Sequence, residues 1–334
     1  MKIKNSLFFV KSILIYLFVF CKSYQDYPNS CYKIEGISGP EDFVYLEKEG
    51  IFLISSHNRR DLESLGEIYS YNPETNQVQI IKRTNEPENF SFRPHGIDYR
   101  KPYLFVILHG NTMDTKWHAV ALYEYKNNEL IFKKSFQHEL IQSPNDLITI
   151  SENEFFITND MKKRGSYYEL FKTLFLGLND GSLAYCNIEK NTCEIVYKGL
   201  GFPNSLSVVN DRLFVSTTLE NKIYEFRIEK DNSVRVTLKK QIAEIAGADN
   251  IIYYNNKLYI TSHPSIMKFM QHSSNAEKYS PSLAYEIDPN TYQTVSIFED
   301  SGKKISAASV IIKLNNELFI GQVFNPYLLR CTTD

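Results

Sequence analysis

NDLITISENEFFITND, residues 145–160, reads as a β-hairpin that carries an Asn-Asp pair at each end. Leu147, Thr149, Phe155 and Ile157 alternate with their neighbours on either side of a polar turn at Asn153-Glu154, the period of an antiparallel pair. Asn and Asp are poor strand formers because their short side chains compete with the ladder for backbone groups. Asn159-Asp160 are accounted for as turn residues. Asn145-Asp146 are not, because the alternation begins immediately after them and leaves no room for a turn.

The same hairpin is written five more times. EDFVYLEKEGIFLISSHN (41–58) and HGIDYRKPYLFVILHGN (95–111) precede it, and NSLSVVNDRLFVSTT (204–218), DNIIYYNNKLYITSH (249–263) and ASVIIKLNNELFIGQV (308–323) follow. Each copy opens on small or polar residues, runs as a short strand, turns at a polar dipeptide and returns as an aromatic and β-branched strand. Successive copies begin roughly 45 to 60 residues apart, the spacing of propeller blades. The intervening segments, such as EIYSYNPETNQVQIIK and KIYEFRIEKDNSVRVTL, supply further strand pairs. The expectation is an all-β chain, a six-bladed β-propeller with four strands per blade over residues 24–334.

Composition agrees with a globular β protein. The 334 residues are 43% hydrophobic and 14% aromatic, and a formal net charge of −2 gives no nucleic-acid footprint. Residues 1–23, MKIKNSLFFVKSILIYLFVFCKS, place basic residues before an apolar run, the layout of an export signal. The usual small-residue cleavage site is missing, so a retained N-terminal membrane anchor or lipid attachment at Cys21 competes with cleavage. Either route predicts a secreted or extracytoplasmic protein, the latter with membrane or lipid-surface association through the N-terminus. Export makes disulfides tenable. Cys186 and Cys193 flank a polar turn and could face each other across a hairpin, while a bridge between Cys31 and Cys331 would tie the chain ends together and close a propeller. Buried free thiols are the alternative.

Residues that open equivalent hairpins should surround one end of the central channel. They are Glu41-Asp42, His95-Gly96, Asn145-Asp146, Asn204-Ser205, Asp249-Asn250 and Ala308-Ser309. Asn145-Asp146 are thereby explained as one sector of a ring of oxygen donors. Glu41, Asp249, Asn145, Asn204 and Asn250 form a hard-oxygen set without a Cys or His cage, which favours Ca2+ over Zn2+. The alternative is that these side chains cap strands and bond one another.

GPEDF, RPHGI, PNDL, FFITND, GFPNS, ADN, SHPSIMK and the terminal cysteine together resemble the paraoxonase/arylesterase family of calcium-dependent lactonases, over about Cys31 to Cys331. The resemblance implies a six-bladed propeller with two calcium ions, one catalytic and one structural, in a central tunnel. It implies Glu41, Asn145, Asn204, Asp249 and Asn250 as ligands of the catalytic ion, and Asp42, Asp146 and the carbonyl of Ile97 as part of the deeper, structural site. His95 and His109 match the family's histidine pair, His263 a further pocket histidine, and Phe202 a residue of the pocket wall.

The implied activity is hydrolysis of lactones and aryl esters. Calcium would polarise the carbonyl and offset charge on the developing oxyanion, and His95, with His109 orienting it or relaying the proton, would activate water. The rim reads His57, Asn58, Arg59, Arg60, Asp61 where the family tends to be apolar, and Met161 stands where a histidine can occur; both make large lipophilic substrates poor candidates. In residues 161–178, Tyr168, Phe171, Leu174 and Phe175 recur at helical spacing, predicting a short amphipathic helix near the channel mouth. A gluconolactonase-type sugar lactonase and a non-catalytic, calcium-stabilised binding propeller remain alternatives.

Overall fold

The six hairpins form the inner halves of six separate sheets arranged as a six-bladed propeller. Their inner strands are Pro40–Leu46, Pro94–Arg100, Pro144–Thr149, Pro203–Val209, Ala248–Tyr254 and Ala308–Leu314, in the first to sixth blades. In the computed structural model the described residues are 24, 26, 30–61, 63–110, 117–162, 176–177, 179–231 and 233–333. The N-terminal segment 1–23 with Cys21, and most of the helix expected over 161–178, lie outside them.

Return strands such as Tyr103–His109 are apolar without alternation because both faces of each sheet pack on neighbouring blades. Leu104, Phe105, Val106, Ile107 and Leu108 are all fully buried. Even-numbered members of that run join a cluster shared with the first blade, and Phe105 and Ile107 join one shared with the third. The core is therefore a set of apolar layers between blades. Aromatic rings key several layers, with Phe52 and Phe319 centroids 5.0 Å apart between the first and sixth blades and Tyr197 and Phe226 4.8 Å apart between the third and fourth.

The second blade departs from four strands, because Lys82–Thr84 adds a short parallel strand at its outer edge. One helix among the described residues, Ile266–Ser274, interrupts the fifth blade, with Ser265 as its N-cap. The sequence reading had not anticipated it.

Closure comes from the N-terminal strand Cys31–Glu35, which supplies the outermost strand of the sixth blade by pairing with Tyr327–Thr332. Cys31 lies opposite Cys331 and is bonded to it, across 300 residues of sequence. Cys186 and Cys193 are likewise opposite in register and bonded. Both pairings expected from the sequence are present.

The two bridges constrain very different loops. Loop-closure entropy assigns about 5 kcal/mol to a link spanning most of the chain and about half that to one spanning a single turn. Replacing Cys31 and Cys331 together by Ala should therefore lower the melting temperature much more than replacing Cys186 and Cys193. Equal losses in thermal unfolding would show that the terminal bridge does not hold the ring closed.

Candidate active site at the mouth of the channel

Every inner strand slips register within its opening pair, between Pro40 and Asp42, Pro94 and Ile97, Pro144 and Leu147, Pro203 and Leu206, Ala248 and Ile251, and Ala308 and Val310. A bulge puts an extra residue on one strand and re-aims its side chains, which is why poor strand formers are placed there. A matching backbone bond pins each hairpin beside its bulge. His57, His109, Asp160, Thr218, His263 and Val323 donate their N–H to the carbonyls of Gly39, Arg93, Ser143, Phe202, Gly247 and Ala307. These six donors occupy one equivalent position, so His57, His109 and His263 are counterparts in three blades.

The bulged residues are bonded from blade to blade. Asp42 Oδ2 accepts from the N–H of Ile97 at 2.7 Å, and Asp146 Oδ2 accepts from the hydroxyl of Ser205 and, at 3.2 Å, from the N–H of Leu206. Ser205 Oγ in turn accepts from the N–H of Ile251 at 3.1 Å. Thr149 donates its N–H to Asp98 Oδ2 at 2.7 Å between the second and third blades, Thr261 donates to the carbonyl of Ser309, and Ser309 donates to the carbonyl of Glu41 at 2.6 Å, completing the circuit. Gly96 is required by the close approach of the second and third blades, since a Cβ there would lie 2.7 Å from the carbonyl oxygen of Asn145.

Glu41, Asp42, Asn145, Asp146, Asn204, Asp249 and Asn250 are all buried at this level. The Oδ1 atoms of Asn145, Asn204 and Asn250 have no hydrogen-bond partner. Three orphaned amide oxygens beside two carboxylates fit a hard cation, because a buried acceptor left unmade is costly. Among the described residues no three His, Cys, Asp or Glu side chains are grouped to hold a metal by themselves, so any such ion would depend on the amides. Deeper in the channel, Asp42 and Asp146 roof a cavity of about 220 Å³ that continues past Ile97 and Leu206 to Tyr45 and Tyr253.

Burial pushes the Asp42 carboxyl well above its ordinary value, and the charges of Asp146 and Glu41 push it further. Burial likewise raises Asp146, to about 8, against the lowering effect of its bonds from Ser205, Leu206 and Leu147. His57 is held down at about 4 by burial and by the charge of Arg59, and its Nε2 meets the carbonyl of Ser64 at 3.0 Å.

His95 and His109 come together, their ring centroids 4.7 Å apart. Two further residues join them, His118, which sequence reasoning left out, and Arg59, which it placed only in the polar rim. His118 Nδ1 lies 3.1 Å from His109 Nδ1, and Arg59 Nη2 lies 3.0 Å from His95 Nδ1. The pairing of Tyr103–His109 with His118–Lys126 sets His118 opposite His109, a register that no local motif announces. His263 Nε2 lies 2.5 Å from Asp249 Oδ2, and its ring is 4.5 Å from that of Phe269 in the helix Ile266–Ser274. Phe202 adopts a left-handed φ of 59° immediately before its inner strand, as Gly39, Gly247 and Ala307 do at the equivalent positions of other blades, so the conformation belongs to the repeated turn.

The raised carboxyls have a consequence for stability. A group that binds its proton more tightly folded than unfolded gives stability below its unfolded pKa that is lost as pH rises through its folded pKa. For Asp146 that window runs from 3.8 to about 8. Chelator-treated protein should melt at progressively lower temperature across this range. Added calcium should raise the melting temperature at the upper end, by the equivalent of about 2.7 kcal/mol at a hundredfold excess over Kd. Asp146→Asn should blunt both effects, and melting curves unmoved by pH and by calcium would contradict this reading of the buried carboxylates.

Comparison with known proteins agrees with the fold and the motifs. A family model described as Arylesterase matches residues 30–332. Serum paraoxonase/arylesterase 1 of Homo sapiens is 25% identical over 328 residues, covering 90% of this chain and 88% of that protein. Serum paraoxonase/lactonase 3 of Oryctolagus cuniculus is 22% identical over 317 residues, covering 90% and 88%. Among solved structures, a luciferin-regenerating enzyme superposes with a TM-score of 0.59 at 11% identity, covering 91% of this chain and 95% of that one. With a match that runs through all six blades and both bonded termini, the chain belongs to the arylesterase (paraoxonase) family.

Proposed function

We propose that this protein is a calcium-dependent hydrolase of lactones and aryl esters that acts on small molecules at the mouth of its channel. Family membership supports an ester- or lactone-hydrolysing enzyme. The observation that carries the calcium reading is the trio of buried, unpartnered amide oxygens on Asn145, Asn204 and Asn250. Glu41, Asn145, Asn204, Asp249 and Asn250 would hold the catalytic ion, and Asp42, Asp146 and the Ile97 carbonyl the structural one. When bound, the catalytic ion supplies Lewis-acid polarisation of the ester carbonyl.

The chain's own residues do the rest. His95 and His109 would handle the proton of the attacking water, a role their 4.7 Å ring separation supports. His263 holds Asp249 by one carboxylate oxygen and so fixes the orientation of that ligand. Phe202 gives the pocket an apolar wall. The polar rim from His57 to Asp61 favours compact, polar lactones over large lipophilic ones. Two disulfides fit an oxidising, extracytoplasmic compartment, with residues 1–23 as export signal or anchor. No described helix is long and apolar enough to cross a membrane.

Hydrolysis of a γ- or δ-lactone and of phenyl acetate, followed by acid release, tests this reading. Chelation should lower kcat/KM by about 10² or more, the scale of losing the principal electrophile. Calcium should restore the rate. Asp249→Ala should remain inactive in calcium while keeping the propeller's melting transition. Full activity in chelator would exclude calcium-dependent catalysis. A calcium-dependent melting shift with no hydrolysis of either substrate class would make the protein a calcium-stabilised binding propeller.

A further inference from the structure

Arg59 was legible in the sequence only as part of a polar rim, but the fold turns it inward. Its side chain is 14% exposed. Nη1 donates to the carbonyls of Gly39 at 3.2 Å and His57 at 3.4 Å. Nη2 reaches the carbonyl of Pro94 and Oε2 of Glu41, each at 3.4 Å, and His95 Nδ1 at 3.0 Å. Backbone oxygens of two blades therefore fix the guanidinium independently of the histidine.

A guanidinium has only donors and keeps its proton. The nitrogen it faces must present a lone pair, so neutral His95 is unprotonated at Nδ1 and carries its hydrogen on Nε2. Such a ring has no lone pair at Nε2 with which to accept a proton from water. The Nε2 atom lies 3.6 Å from Glu41 Oε1, beyond hydrogen-bond distance, so the tautomer rests on the Arg59 contact alone.

We propose that Arg59 is a positioning residue that locks His95 in the Nε2–H tautomer, making His95 a hydrogen-bond donor and leaving His109 to take the proton from water. The assignment of the base rests on the hydrolase reading above; the tautomer does not. His109 serves if its Nδ1–H donates to His118 Nδ1, 3.1 Å away, which leaves the lone pair on His109 Nε2. The O–H bond of water then breaks toward His109 Nε2 while the water oxygen bonds to the acyl carbon. The same proton is returned to the leaving oxygen as its bond to that carbon breaks.

Two-bond 1H–15N correlation spectra of the labelled full chain report histidine tautomers directly. They should be recorded at pH about 8.5, above the ordinary imidazole range. The signals lost in His95→Gln and His109→Gln assign the two rings. His95 should show a protonated Nε2 and an unprotonated Nδ1, and His109 the reverse. Arg59→Met should convert His95 to a mixture or to the Nδ1–H form, and Arg59→Lys, which lacks the planar fork, should not fully restore the wild-type pattern. A proton on Nδ1 of wild-type His95, or an unchanged pattern in folded Arg59→Met, overturns the proposal. If Arg59→Met does not fold, the wild-type spectrum decides. In kinetics, His109→Gln should lower kcat by about 10² to 10⁴ and His95→Gln by about tenfold, the worth of one hydrogen bond to a charged partner. The opposite order returns the base to His95. Absence of hydrolysis in the wild type would count against the hydrolase reading alone.

Discussion

The structure depends on a circuit of hydrogen bonds that closes around the channel axis. Each blade contributes a bulged inner strand, and hydrogen bonds join the blades in turn, between Asp42 and Ile97, Asp98 and Thr149, Asp146 and Ser205, Ser205 and Ile251, Thr261 and Ser309, and Ser309 and Glu41. Inter-blade apolar layers supply most of the burial, but the hydrophobic attraction within them is non-directional. The polar circuit is directional, and a buried donor or acceptor that loses its partner costs on the order of 1–3 kcal/mol. It therefore sets the angular register of six sheets that would otherwise be held only by non-directional packing.

That circuit gathers negative charge. Glu41, Asp42, Asp146 and Asp249 are all buried at one end of the channel, with Arg59 facing Glu41 and His263 facing Asp249. Burial raises the cost of ionising both Asp42 and Asp146, the charges of Asp146 and Glu41 add to it at Asp42 and that of Glu41 adds to it at Asp146, and a divalent cation would relieve that cost. Stability and chemistry are in this way linked through the same residues. The circuit that orients the blades also presents the donor set.

Adjacent arginines divide the work of the rim. Arg59 points into the channel, whereas Arg60 lies over the Phe324 ring, 4.9 Å from its centroid, and donates to Asn325 Oδ1 at 3.0 Å and to the His272 carbonyl at 2.8 Å. Arg60 thereby straps the first-blade loop to the helix Ile266–Ser274 and to the sixth blade. Phe269 of that helix packs on both Phe324 and His263, so the strap continues to the carboxylate of Asp249. A rim built from fixed guanidinium groups is both more polar and more rigid than an apolar one, and it narrows what can approach the donor set.

Fold class, blade number and the equivalence of the six opening pairs were legible in the sequence. A hairpin repeated six times imposes its own period, and residues at equivalent places in a cyclic repeat must share a height on the axis. Both disulfides were legible for the same reason, since their cysteines sit across a turn or at the chain ends. The circuit was only half legible: Asn145-Asp146 could be read as donors facing the axis, but not as the product of a bulge. The helix Ile266–Ser274 had a local signal in its Ser265 N-cap, whereas the placing of His118 and the inward turn of Arg59 were decided by tertiary structure. His118 meets His109 through strand register across a connection, and Arg59 is aimed by carbonyls of its own blade and of the next. Such long-range contacts leave no local pattern, because the partner that fixes each side chain lies in a part of the chain with no periodic relation to it.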